Sequence, residues 1–219
     1  MIRVGLIDGA LPPDWPGVTV RRRFCTIDGA DLSRKHASAM ATTIGAYCED
    51  FKIINAVVFP GSLSTTLGMV CDALEWLGDD PPDIVLCSFG SARASVELSV
   101  MTSRLQNGGS LVVASAPARG DPVYPAAYPD VISVQGDARC GPGEISRLDL
   151  PQATFGACPQ ALGVPEIRGA SAAAAHAAGL LAQSGATSAP VAAGDLLQHV
   201  RYTGRERKSP ELKPEPQPA

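Results

Sequence analysis

Apolar and polar positions along the chain form two alternating kinds of run. IRVGLID (2–8), FKIINAVVF (51–59), DIVLCSFG (83–90), SLVVASA (110–116) and DVISVQG (130–136) are short and apolar at nearly every position. Such runs predict strands covered on both faces. Between them HASAMATTIGAYCE (36–49), TTLGMVCDALEWLG (65–78) and SVELSVMTSRLQNG (95–108) read as amphipathic helices. The alternation predicts an α/β fold of three layers, a mostly parallel central sheet with helices on both faces. Residues 137–167 are loop-rich with short extended pieces; a helix is expected over Ser171–Ser184 and a second near AGDLLQHVRY (193–202). No internal repeat interrupts the pattern.

At 219 residues the chain suits one sizeable core, expected over 1–203. The charged, proline-rich stretch 204–219 predicts a disordered tail. A net charge of −4 leaves no basic excess for phosphates, so nucleic acid is not an expected partner, and RRR at 21–23 reads as a solvated edge. The N-terminal apolar run is broken by Asp8 and reads as a strand rather than a signal peptide. No stretch approaches the roughly 18 apolar residues that span a bilayer. A soluble, cytoplasmic protein with no membrane partner is expected, its six cysteines (25, 48, 71, 87, 140 and 158) reduced.

Three positions carry candidate chemistry. Asp8 closes the first apolar strand and is followed by glycine, at the rim where open parallel sheets place their sites; a turn aspartate is the plainer reading. His36 precedes Ala37, Ser38 and Ala39, which puts its imidazole near the first turn of a helix; a structural histidine is the plainer reading there. Ser171, in GASAAAAHAAG, stands at the start of an alanine-rich helix as a simple N-cap or as a nucleophile. In the second case the helix N-terminus would favour the negative charge of an oxyanion. His176 lies roughly 140° further round the helix, which excludes it as the partner base of Ser171 and assigns it to packing.

Taken together, LIDGA, HASAMA and GASAAAAHAAG resemble the aspartate, histidine and serine motifs of the subtilisin-like serine proteases, in that chain order. PDIVLCSFGS resembles that family's substrate-binding strand, and SLVVASAPARG the segment that carries its oxyanion asparagine. The resemblance runs from residue 2 to about residue 184. It implies a subtilisin-like fold and a serine endopeptidase with Asp8, His36 and Ser171 as its triad. It also implies that Ser88, Phe89 and Gly90 pair with the substrate backbone.

Where the family's pattern places the oxyanion asparagine, the register gives Ala118. Losing one such donor costs about 2.7–4 kcal/mol of transition-state stabilisation. Ser115 and Arg119 are the candidate replacements, and the Ser171 N–H remains available. Ala170 and Ala175 stand in place of the family's threonine and proline. The chain starts at its first strand, so no propeptide is expected, and no acidic loop suggests a calcium site. Neither metal nor cofactor is expected. These departures resemble a processing branch of the family that trims the leader from one precursor. The expected partners are that precursor, a peptide or small protein, and the enzyme that modifies it. The alternative is a non-catalytic module of the same fold that binds an extended peptide or docks partners. A small-molecule α/β binding protein is disfavoured because no glycine-rich phosphate loop, GxGxxG, follows the first strand.

Overall fold

The computed structural model describes residues 1–26 and 31–204, together with the backbone of 207 and 208. Strands β1 (Ile2–Asp8), β2 (Val18–Arg23), β3 (Phe51–Val57), β4 (Ile84–Cys87), β5 (Leu111–Ser115) and β6 (Ile132–Gly136) build the body of the sheet. Helices α1 (Asp31–Gly45), α2 (Leu67–Leu77) and α3 (Val96–Asn107) connect them. Short strands β7 (Ile145–Arg147) and β8 (Phe155–Ala157) follow, then α4 (Ala170–Ser184), α5 (Ala189–Leu197), β9 (Val200–Thr203) and β10 (Arg207–Lys208). They form one sheet of ten strands in the order β10-β9-β7-β8-β6-β5-β4-β1-β3-β2. Pairing is parallel from β2 through β6 to β8 and between β7 and β9, and antiparallel for β7–β8 and β9–β10. The expected α/β architecture, a mostly parallel sheet with helices on both faces, is what the chain adopts.

Side-chain alternation divides the core. Ile84 and Leu86 of β4 and Leu111 and Val113 of β5 face the α1/α4 layer, while Val85, Cys87, Val112 and Ala114 face the α2/α3 layer. Helix α4 is apolar all round because it is enclosed all round: Ala172–Ala175, Ala177 and Ala178 are fully buried. Small side chains let it lie close to α1. A Cβ on Gly179 would sit 3.1 Å from the Ile44 carbonyl oxygen and 2.5 Å from the Tyr47 ring.

Three expectations are corrected. Helix α1 starts at Asp31, so His36 belongs to its second turn, not its first. The segment expected as one late helix splits into α5 and β9, because Val200 and Tyr202 turn one half-buried face to β7. RRR at 21–23 is a solvated edge as expected, with Arg22 and Arg23 exposed, but it closes an edge strand that begins at Val18 and had not been expected. The tail expected from 204 lies, apart from Gly204 and β10, outside the described residues.

Chain direction decides where a site forms. From β1 the chain builds β2 and β3 on one side and β4, β5 and β6 on the other, so a crevice opens beyond the carboxyl ends of β1 and β4. Ile7 pairs with Cys87, and Asp8 and Ser88 therefore leave the sheet side by side.

Candidate active site

Asp8, fully buried at the end of β1, directs its carboxylate at His36. His36 Nδ1 lies 2.9 Å from both Oδ1 and Oδ2, and Oδ1 also accepts the Gly9 N–H at 2.7 Å. A carboxylate only accepts, so Nδ1 carries the proton and Nε2 keeps its lone pair free, the tautomer a general base requires. Burial, the largest influence on His36, disfavours its imidazolium; the Asp8 charge and hydrogen bond outweigh it, and the pKa is raised.

Asn55, buried in β3, fixes the turn that follows Asp8. Its Nδ2 donates to the Gly9 carbonyl at 3.1 Å, and its Oδ1 accepts the Leu11 N–H at 3.0 Å. The sequence reading missed this residue, although the only polar side chain within IINAVVF was a signal.

Gly169 sets the start of α4 with φ 127° and ψ −160°, a conformation essentially confined to glycine. That glycine, not Ser171, is the N-cap, so the plainer reading of Ser171 as a capping residue does not hold. Ser171 is half-buried one residue inside the helix, and its hydroxyl donates to the Ser88 carbonyl at 3.3 Å. Among the described residues no side chain caps the first amides of α4, which leaves positive potential beside that hydroxyl. Among the described residues no hydrogen bond joins His36 to Ser171. The structure thus joins Asp8 to His36 directly, and brings Ser171 to Ser88, the residue that leaves the sheet beside Asp8.

Ser88, Phe89 and Gly90 form one wall of a cleft of about 300 Å³, faced by Phe59, Leu63, Thr66 and Val70. Gly90 is exposed, and among the described residues its N–H and carbonyl make no hydrogen bond, so both can pair with another strand. The Ser88 hydroxyl is buried without a partner among the described residues. Ser115 is less available than its position suggests, because its hydroxyl donates to the carbonyls of Cys87 and Phe89 at 3.4 and 3.3 Å. Ala118 and Arg119 are exposed, and Arg119 makes no hydrogen bond or ion pair among the described residues. Cys87 is buried with its thiol pushed up to about 12 by desolvation, which removes it as a nucleophile.

His176 occupies a separate buried network. Its Nε2 faces the Gln160 carbonyl at 2.8 Å and must therefore carry the proton, so Nδ1 accepts from the Tyr47 hydroxyl. That hydroxyl in turn accepts the Gly143 N–H at 2.8 Å. Burial lowers the His176 pKa. The network ties the end of α1 to α4, the helix that carries Ser171.

The sheet order, the helical layers and the crevice at the ends of β1 and β4 define a subtilisin-like fold. Among solved structures the chain is similar to a cold-adapted subtilisin-like serine proteinase, with a TM-score of 0.70 and 18% identity, covering 94% of this chain and 86% of that one. It is also similar to the prenylagaramide maturation protease PagA, with a TM-score of 0.61 and 18% identity over 83% of this chain and 74% of that one. No protein-family model and no curated protein sequence matches the chain. No helix among the described residues is long and apolar enough to cross a membrane.

Proposed function

We propose that the protein is a serine endopeptidase in which Ser171 is the nucleophile, His36 the general base and acid, and Asp8 the group that orients the imidazole. One observation carries this reading. A buried carboxylate holds His36 in the base-competent tautomer, at the same sheet crevice where a helix start delivers a serine hydroxyl to Ser88. Ser171 Oγ attacks the peptide carbonyl carbon while His36 Nε2 takes the hydroxyl proton. The tetrahedral intermediate collapses, His36 gives that proton to the departing amine, and water hydrolyses the acyl-enzyme by the same route. Asp8 stabilises the imidazolium throughout. The Ser171 N–H is the one family-type oxyanion donor, because Ala118 has no donor group in its side chain.

The substrate backbone adds a strand along Ser88–Gly90, where the Gly90 amide and carbonyl are open. Main-chain pairing tolerates many sequences, and a weakened oxyanion hole keeps such an enzyme slow on stray peptides. Both features suit a dedicated cytoplasmic processing protease that removes a leader from one precursor, and one of the two structural neighbours is itself a maturation protease. The sequence resemblance suggests the crosslinked γ subunit of quinohaemoprotein amine dehydrogenase as that precursor, with its modifying enzyme as a delivery partner. A second reading, a non-catalytic peptide-binding or docking module, is favoured by the Ser171 hydroxyl pointing to Ser88 rather than His36 and by the missing side-chain donor at 118.

Mass spectrometry separates the two readings. Wild type and Ser171→Ala are incubated with the γ-subunit precursor and with unfolded casein. Cleavage of the precursor at one bond, lost in the variant, is the expected result. Intact substrates in every incubation, with and without the modifying enzyme, would leave the docking module.

A further inference from the structure

Strand β2 ends the sheet, and among the described residues nothing pairs with its outer edge. Its register with β3 shifts between Val18 and Val20. Val18 therefore packs on the α1/α4 core, whereas Val20 and Arg22 stand beside Ile54 and Ala56, on the α2 side of the sheet. The shift sends Val20 to a place that no helix covers, and it is 49% exposed. Helix α2 stops at Leu77, and a cleft of about 490 Å³ opens between Val20, Ile54, Trp76 and Leu77.

Charge around this cleft is unbalanced. Asp79 and Asp80 at its rim are each paired with an arginine, Arg104 and Arg3. Lys52 stands two residues before Ile54, and Arg22 two after Val20, so the two cations flank the apolar pair along the strand direction. Neither makes an ion pair among the described residues. The Arg22 guanidinium is held over the rings of Phe24 and Trp76, 5.3 and 5.8 Å from their centroids, with its N–H donors still open. Arginines on an edge strand ordinarily keep other strands away. An apolar seat between two unpaired cations does the opposite for one kind of strand, an apolar side chain flanked by carboxylates.

We propose that β2 is a docking edge for an extended acidic segment of a partner protein, which adds a strand there and seats one bulky apolar side chain in the cleft. Side chains two apart share a face of a strand, so acidic residues two positions before and two positions after the apolar one meet Arg22 and Lys52. That spacing is symmetric, and the segment fits in either direction. In the sheet order β4-β1-β3-β2 this edge lies three strands from Ser88–Gly90, so docking leaves the candidate catalytic groups free and does not rest on the peptidase reading. The run RRR supplied the charge in the sequence, but the seat depends on a register shift that no local pattern announces.

The test titrates the full chain, as Ser171→Ala so that nothing is cut, with the peptide acetyl-Thr-Glu-Thr-Phe-Thr-Glu-Thr-amide, followed by calorimetry and NMR. Binding is expected, with shifts confined to β2, β3 and the Trp76 indole. Replacing both glutamates of the peptide by lysine, or its phenylalanine by alanine, is expected to weaken binding roughly tenfold. Arg22→Glu should weaken the glutamate peptide likewise and bind the lysine peptide better than the unsubstituted edge does, a swap that mere loss of structure would not give. Should that variant not fold, Lys52→Glu carries the same swap. No binding at about 1 mM peptide, equal binding of the glutamate and lysine peptides, or shifts centred on Ser88–Gly90 would overturn the proposal. Failure of the wild type to cut any protein would sink the peptidase reading and leave this result standing.

Discussion

Gly9 and Ser33 meet through their backbones: a Cβ placed on Gly9 would fall 2.2 Å from the Ser33 carbonyl oxygen. Ser33 lies one turn before His36 on the same helical face, so this contact sets the depth at which α1 docks on β1. That depth puts His36 Nδ1 2.9 Å from Asp8. Gly9→Ala must push α1 away, and the backbone cannot yield as a side-chain tip would. We expect a stability loss at or above the usual 1–3 kcal/mol of overpacking, and, on the proposed peptidase reading, at least a tenfold fall in kcat/KM although the Asp8 and His36 side chains remain. Denaturation curves and casein hydrolysis check it. An unchanged Tm would mean that α1 docks by other contacts.

The start of α1 shows why some of this was illegible. The one buried residue of its first turn is the polar Ser33, while the apolar Leu32 is 49% exposed, the reverse of an amphipathic pattern. Apolar periodicity therefore appears only from His36 onward. Strands β1, β3, β4, β5 and β6 were legible because each is apolar at nearly every position, whereas the half-exposed β2 and β9 were not; the order of Asp8, His36 and Ser171 along the chain was read from their motifs. Contacts between distant loops, such as Gly90 with Val123 or Tyr47 with His176, leave no local period in the sequence. Only the folded chain reveals them.

The raised pKa of His36 has a consequence for activity. A general base works only when neutral, so hydrolysis is expected to rise with pH through a midpoint above the ordinary histidine value of about 6.5. Asp8→Asn removes the charge that raises it and leaves the burial that lowers it. The His36 ring resonance, followed by NMR, should therefore titrate above 6.5 in wild type and below it in the variant, while kcat falls by about 10⁴. The linked stability follows the same sign: it is fully present below the unfolded-state pKa and is lost as pH rises through the raised folded value. Equal midpoints in the two proteins would show that Asp8 does not govern the ring.

His176 titrates the other way. Its folded pKa is lowered, so the unfolded chain takes up a proton near pH 6.5 that the native ring refuses. The stability it contributes is present above that value and is lost as pH falls toward the lowered one. Tyr47→Phe removes the hydroxyl that serves His176 Nδ1 and the Gly143 amide together. Each buried polar group left unpaired costs about 1–3 kcal/mol. A clear fall in Tm is expected, with KM for casein little changed, measured by thermal denaturation and steady-state kinetics. A variant as stable as wild type would show that the network is not holding α1 to α4.

Ala118 offers a gain rather than a loss. It is exposed, so replacing it is expected to alter stability by less than about 0.5 kcal/mol. Asparagine there would add a second donor to the Ser171 N–H at the developing oxyanion. Because such a donor strengthens only in the transition state, kcat on casein should rise, by as much as the 10²–10³ that losing one costs, with KM nearly constant. Arg119 next door, without a partner among the described residues, gives the control. If its guanidinium already serves the oxyanion, Arg119→Ala will lower kcat in the wild-type background, and Ala118→Asn will rescue it. A folded Ala118→Asn protein with wild-type kcat, insensitive to Arg119→Ala, would show that oxyanion stabilisation does not limit this site.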